Sequence, residues 1–302
     1  MINQDFKSII ELLKAFPDEQ TCIDHLTELR WNGNIVSPFD SNSKVYVCKG
    51  NKYKCKTTGK YFNVKTSTLF DNTKIELQKW FLAIWLVTGH KKGISSLQLG
   101  RDIDTTQKTA WFMLQRSRNC FGIESEKMDG VVEADETYVG GKNANRHAVK
   151  KIKNSFGRSA KDKTPVFGLV NKGNVKTEVV PNTQGKTLKP IILSIVKKGS
   201  IVVTDQWHSY KGLAKDYQHE VISHKSGQYV RDGFHTNSIE GFWSLLKRGI
   251  IGIYHYTSAK HLQKYVDEFS FRYNTRTLGE AKRMNVMLSD TEHRLTYNQL
   301  IK

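Results

Sequence analysis

Two short apolar runs in this chain each end in an aspartate: Val131-Val132-Glu133-Ala134-Asp135 and Ile201-Val202-Val203-Thr204-Asp205. Runs this short and this rich in valine and isoleucine read as β-strands, and such strands belong in the middle of a covered sheet. An aspartate carried there is costly unless a cation or a hydrogen-bond donor meets it. A third carboxylate, Glu240, lies in Asn237-Ser238-Ile239-Glu240-Gly241-Phe242-Trp243-Ser244-Leu245-Leu246-Lys247, where Ile239, Phe242, Trp243 and Leu246 recur at helical spacing. Two aspartates aimed by strands and a glutamate on a helix supply the hard oxygen ligands that divalent ions need in phosphoryl transfer.

Each of these residues also has a plainer reading. An aspartate after a strand is commonly a turn residue. Asn237, with Glu240 three positions on, approaches a helix capping box, which makes the glutamate structural. Against that, Glu240, Ser244 and Lys247 follow one another at i, i+4 and i+7 along one helical edge, a carboxylate and a lysine side by side. Glu136 points to the opposite face of its strand from Asp135, and Glu133 is a secondary candidate.

The rest of the chain divides by texture. Residues 1–30 predict short helices broken at Pro17. Residues 31–72 are loop-rich, with strand-like pieces at Lys44-Val45-Tyr46-Val47 and Lys60-Tyr61-Phe62-Asn63-Val64, and read as a small module with a thin core. Residues 73–120 turn helical again. There Ser95 and Thr105 are placed to cap two consecutive short helices, the second carrying Lys108 and Arg116. Two helices joined by a short turn suit either a DNA-binding helix-turn-helix or a plain bundle. From 127 to 276 strand and helix alternate, which predicts a mixed α/β domain with strands at 131–139, 165–171, 175–181 and 201–205. Helices are expected there at 185–197, 237–247 and 259–273. Residues 277–302 read as a C-terminal tail.

Charge sets the partner. The 302 residues carry a formal net charge of +18, with a pI near 9.6, and such a surface attracts polyanions, nucleic acid first. The connection from 140 to 163 concentrates this charge. Lys142, Arg146, Lys150, Lys151, Lys153, Arg158, Lys161 and Lys163 stand there against the single acid Asp162, a composition that suits a phosphate backbone or a solvated loop. No apolar run is long enough for a membrane span, and the first residues lack the apolar stretch of a signal peptide. A cytoplasmic, nucleoid-associated protein with no membrane partner is expected. Cys22, Cys48, Cys55 and Cys120 show no paired spacing and predict thiols rather than disulfides.

On these residues the chain resembles bacterial insertion-sequence transposases of the DDE type, and within them the ISXO-like branch. The likeness rests on Glu133-Ala134-Asp135-Glu136-Thr137-Tyr138-Val139-Gly140-Gly141-Lys142, Thr204-Asp205-Gln206-Trp207-His208-Ser209-Tyr210 and His235-Thr236-Asn237-Ser238-Ile239-Glu240-Gly241-Phe242-Trp243. Phe271-Arg272-Tyr273-Asn274-Thr275-Arg276 and Ile94-Ser95-Ser96-Leu97-Gln98-Leu99 extend it over roughly residues 30–276. The resemblance implies a ribonuclease H-like catalytic domain, preceded by a zinc-ribbon-like module and a helix-turn-helix. It implies two Mg²⁺ ions, with Mn²⁺ as a substitute: Asp135 bridges them, and Asp205 and Glu240 hold one each. It further implies cleavage at the terminal inverted repeats of an insertion sequence. The freed 3′-hydroxyl is then joined to target DNA by a homo-oligomer working on double-stranded DNA. DNA contacts fall to Lys247 and Arg248, to Lys142, Arg146, Lys150 and Lys151 of the basic connection, and to Lys108 and Arg116. Asn237 and His208 are expected behind the catalytic carboxylates.

The pattern breaks in the ribbon. The two Cys-x-x-Cys knuckles of such relatives fall on Ser37-Pro38-Phe39-Asp40 and Cys55-Lys56-Thr57-Thr58, which keep one cysteine of four. Tetrahedral structural zinc needs four Cys or His ligands, so zinc is not expected, and the module is either loosened or held by packing of Tyr53, Tyr61 and Phe62. Four readings follow: a transposase with a metal-independent ribbon, a decayed and inactive one, a nuclease that cuts without joining, and a DNA-binding regulator.

Overall fold

The computed structural model describes residues 5–122, 126–141, 147–153, 162–205, 208–210, 212–222 and 233–302, the side chains of Lys150 and His208 excepted. They form two units, Met1–Gly122 with Thr275–Lys302 and Ile123–Asn274.

The first unit opens with α1 (Ile9–Ala15) and α2 (Glu19–Trp31). Each is started by a side chain that accepts a first-turn N–H, Ser8 from Glu11 and Asp18 from Thr21. β1 (Val45–Cys48), β2 (Lys52–Cys55) and β3 (Tyr61–Phe62) then make a three-stranded antiparallel sheet. Trp31 packs edge to face on Tyr53 and Phe62, and Phe39 on Phe62. Tyr61, expected in that packing, is 61% exposed instead. Hydrogen bonds hold the knuckles together: Thr57 Oγ1 donates to Asp40 Oδ2 at 2.7 Å and lies 3.3 Å from the buried Cys55 Sγ. Burial pushes the Cys55 thiol up, but the hydroxyls of Ser37, Ser43, Thr57 and Thr58 outweigh it and bring it down to about 6.

α3 (Leu77–Gly89) is buried through Leu77, Trp80, Phe81, Ile84 and Val87. α4 (Ser96–Asp102) and α5 (Gln107–Arg118) follow, capped by Ser95 and Thr106; the second cap falls one residue beyond the expected Thr105. A Cβ on Gly100 would sit 3.0 Å from the Thr105 carbonyl oxygen, so the absence of a side chain lets the turn between these helices close tightly.

The second unit is built on a five-stranded sheet. β4 (Val131–Val139), β5 (Thr164–Asn171) and β6 (Asn174–Val179) form an antiparallel meander. Lys172 and Gly173, both at positive φ, join β5 to β6 as a two-residue hairpin turn requires. After α6 (Gly185–Ile195), β7 (Ile201–Asp205) adds in parallel to the other side of β4, and β8 (Gln218–Ile222) adds parallel to β7. The sheet order β6-β5-β4-β7-β8 leaves β4 at its centre. α7 (Asn237–Gly249), a π-helical turn at Ile250–Tyr254 and α8 (Ala259–Asn274) complete the unit.

Alternation along the strands sorts their side chains between two cores. Val132, Ala134, Leu169 and Val202 meet Leu188 and Ile192 of α6, with Tyr210 beside them. Val139, Val166, Val170 and Val175 meet Ile239, Phe242, Trp243 and Leu246 of α7 and Val266 and Phe269 of α8. The mixed α/β architecture expected from the sequence is present, with both faces of the sheet covered.

The chain then returns to the first unit. Residues 277–302 are more than a tail: they form α9 (Glu280–Ser289) and α10 (Tyr297–Ile301). Ala281, Met284, Met287 and Leu288 bury one face of α9, Arg30 reaches Glu292 at 2.9 Å, and Tyr297 packs on Phe112 of α5. Among the described residues no helix is long and apolar enough to cross a membrane.

Candidate active site

β4 and β7 run parallel, with Val131, Val132 and Glu133 opposite Ile201, Val202 and Val203. The ladder ends there; Asp135 and Asp205 each lie two residues beyond its last pair on these neighbouring strands, near enough for the Asp205 charge to act on Asp135. Asp135 therefore lies inside β4 rather than at its end, while Asp205 is the last residue of β7. Burial pushes the Asp135 carboxyl up to about 7, and the neighbouring charges of Glu136 and Asp205 add to the shift. Glu136 points to the opposite face, where its Oε2 accepts from the buried Tyr210 hydroxyl at 2.7 Å. Burial, then that carboxylate, raise the Tyr210 phenol well above its usual value.

α7 is fastened to β4 at two points. Its N-cap residue, Thr236, makes no side-chain capping bond. The first-turn N–H groups of Ser238 and Ile239 donate instead to Glu133 Oε2, at 3.0 and 3.1 Å. A carboxylate there satisfies orphan donors and meets the positive end of the helix dipole. One turn on, the Trp243 indole N–H donates to Asp135 Oδ2 at 3.0 Å. Gly168, paired with Asp135 across β5, makes room for that indole: a Cβ there would stand 2.6 Å from the Trp243 ring. The capping role considered for Asn237 and Glu240 thus belongs to Glu133. Glu240 is exposed on α7, and with Asp135, Lys163, Ser244, Lys247 and Arg248 it lines an open cleft of about 760 Å³.

The ISXO2-like transposase domain matches residues 127–274. A Halobacterium salinarum protein, named as an uncharacterized protein in transposable element ISH50, is 27% identical over 275 residues, 86% of this chain and 92% of its own length. An uncharacterized transposase-like protein of Haemophilus influenzae is 36% identical over 104 residues, 34% of this chain and 83% of its own length. The chain belongs to the ISXO2-like transposases. Among solved structures, this ISXO2-like transposase is similar to a pre-cleavage Mos1 transpososome (12% identity, TM-score 0.27, 72% of this chain and 79% of that one). It is also similar to the Mos1 transposase in a paired-end complex with the left transposon end (11% identity, TM-score 0.28, 70% and 79% covered).

In this ISXO2-like transposase the structure gathers some of the expected residues and separates others. Asp135, Glu240, Lys247 and Arg248 share the cleft, where Lys163 joins them. Asn237 is the exposed first residue of α7 and stands outside the cleft lining. Arg116, expected on DNA, is instead a core residue. It is 6% exposed, donates to the Asp71 carbonyl oxygen at 2.6 Å and lies over the rings of Trp80 and Phe112. Lys108, near the other end of α5, is exposed, with its ammonium over the Tyr297 ring. Lys151 is also exposed. Lys142 and Arg146, and the side chains of Lys150 and His208, lie outside the described residues.

Asp135 and Asp205 have the chemistry of a hard-cation site, neighbouring oxygen donors whose repulsion a divalent ion relieves. Among the described residues no group of three carboxylate, histidine or cysteine side chains is drawn together closely enough to hold one metal ion. The pair fits the cation, and a three-carboxylate site requires Glu240 to close on it.

Proposed function

We propose that this transposase cuts and joins DNA at the terminal inverted repeats of an insertion sequence, with Asp135, Asp205 and Glu240 holding two Mg²⁺ ions. One observation carries the reading. Asp135 and Asp205 lie on neighbouring parallel strands, close enough to interact electrostatically, and the cleft at Asp135 also presents Glu240 and the cations Lys163, Lys247 and Arg248. Carboxylates suited to the ions and positive side chains suited to the phosphates meet in one place. A three-stranded antiparallel meander, extended by two parallel strands on the side of its first strand, supports a ribonuclease H-like domain.

The ions, when bound, neutralise charge on the attacking and leaving oxygens of the phosphodiester. The chain's own residues orient the parts. Trp243 takes Oδ2 of Asp135 as its acceptor and so fixes the plane of that carboxylate. Lys247 and Arg248, two turns beyond Glu240, hold backbone phosphates of the cleaved strand beside the carboxylates, and Lys163, just before β5, does the same. In the first unit, α4 and α5 act as a helix-turn-helix, with the exposed Lys108 on the DNA backbone. The charge of +18 supports double-stranded DNA as the partner, and a homo-oligomer on paired ends is the working form proposed.

The test is Mg²⁺-dependent cleavage and strand joining on DNA carrying the element ends, with Glu240→Gln alongside the parent. Joined products that vanish in the variant support the reading. Cleavage without joining makes the protein a nuclease. Binding without cleavage in both makes it a DNA-binding regulator or an inactive transposase.

A further inference from the structure

Glu133 takes no part in the reaction proposed above, yet it is only 7% exposed and both of its oxygens face partners. Oε2 accepts from the Ser238 and Ile239 N–H groups, and Oε1 lies 3.4 Å from His235 Nδ1. The strand thereby supplies the cap that α7 lacks from its own Thr236. The Trp243 bond to Asp135 is the second tie.

The two ties are commensurate. Glu133 and Asp135 stand two residues apart on one face of β4, about 6.7 Å at the rise of an extended strand. From the Ser238–Ile239 pair to Trp243 is four to five residues of helix, about 6.0–7.5 Å at the helical rise. Moving α7 bodily along β4 breaks one tie or strains the other. Glu240 lies between the two.

We infer that Glu133 is a positioning residue: by holding the first turn of α7 against β4, it sets the separation at which Glu240 faces Asp135. The inference rests on the reading of Asp135 and Glu240 as ligands of a divalent ion. Glu133 itself is spent on the helix, so its effect reaches the ion through the axial placement of Glu240. Groups that orient metal ligands from behind typically contribute 10–100-fold to metal affinity.

Mn²⁺ binding to the full chain without DNA, followed through loss of the free-ion EPR signal, tests this alongside the unfolding midpoint in EDTA. Asp135→Asn is expected to abolish tight binding. Glu133→Ala is expected to weaken it about tenfold or more. Glu133→Gln, whose amide oxygen still accepts the two N–H groups, is expected to stay within about threefold. In a Glu240→Gln background, Glu133→Ala is expected to change nothing further, because no carboxylate is left to place.

A merely structural glutamate lowers the unfolding midpoint but leaves the Mn²⁺ affinity of the folded protein alone. That result, with Asp135→Asn still abolishing binding, overturns the inference and spares the metal-site reading. Binding that survives Asp135→Asn overturns the metal-site reading and the inference with it. If Glu133→Ala does not fold, Glu133→Asp takes its place: it keeps the charge, withdraws the oxygens by one methylene and is expected to bind Mn²⁺ with intermediate affinity. Parent-like binding by that variant overturns the inference.

Discussion

The Trp243 indole N–H and Asp135 Oδ2 stand 3.0 Å apart, a hydrogen bond from α7 to the centre of β4. It favours the ionised carboxylate and so opposes the burial that raises Asp135. Trp243→Phe keeps a ring and removes the donor. The Asp135 pKa is expected to rise further, moving the acidic limb of the cleavage–pH profile to higher pH. Stability is expected to fall by about 1.5–3 kcal/mol, the range for a bond to a charged group. Urea unfolding and pH–rate measurements on one preparation check both, and a profile that stays in place removes Trp243 from the control of Asp135.

Gly168→Ala acts on the same contact from the strand. The new Cβ would stand 2.6 Å from the Trp243 ring, so α7 or the indole must move, at a cost of about 1–3 kcal/mol for an overpacked site. In a Trp243→Phe background the ring is shorter and the cost is expected to shrink. A double-mutant cycle should give a coupling of about 0.5 kcal/mol or more. Strictly additive costs would mean that the glycine is needed for something other than the indole.

Asp135 also gives the metal-free fold a pH dependence. Its native-state pKa of about 7 lies above the unfolded value of about 3.9. Between those values the native state binds more protons than the unfolded state, so the group's contribution to stability falls as pH rises from about 4 to about 7. Above pH 7 the full penalty remains, about 1.36 kcal/mol for each pH unit separating the two values. Asp135→Asn removes it. The variant is expected to be more stable than the parent at pH 8 in EDTA, with the gap closing toward pH 4, and Mg²⁺ to stabilise only the parent. Denaturation curves at both pH values decide the point; a gap independent of pH assigns the difference to something other than ionisation.

The parts of this site that depend on near neighbours were legible beforehand. Val131–Val139 is the strand its β-branched run predicts, and Ile239, Phe242, Trp243 and Leu246 are the buried stripe of α7. Asp135 and Asp205 sit equally far into two similar runs, and the parallel pairing of those runs brings the two carboxylates within electrostatic reach. Pairs distant in the chain stayed hidden. Glu133 caps a helix 105 residues later, a bond no local pattern encodes, while Asn237 and Glu240 offered a capping box in its place. Gly168 reads as a weak point in a strand until the register sets it beside Trp243. The charge of Arg116 suggested a surface, but the Asp71 carbonyl and two aromatic rings make it a core residue. The α9 stripe of Ala281, Met284, Met287 and Leu288 recurs at helical spacing, the local signal that distinguishes this segment from a tail.

The basic residues of α5 separate folding from binding. Arg116→Ala removes the donor to the Asp71 carbonyl and the packing of the guanidinium over Trp80 and Phe112. A loss of about 2–4 kcal/mol is expected from the bond and the stacked stem together, and Arg116→Lys is not expected to restore it, since an ammonium cannot stack as a planar guanidinium does. Lys108→Ala touches an exposed side chain, and its effect on stability is expected to stay within about 0.5 kcal/mol. Its effect on DNA is expected to be larger: weaker binding on every sequence, with the salt slope reduced by about 1. Anisotropy titrations over a salt series, beside urea unfolding, separate the two. An unchanged slope for Lys108→Ala takes that end of α5 off the DNA backbone. An Arg116→Ala protein that keeps its stability but loses DNA affinity would return Arg116 to the binding surface.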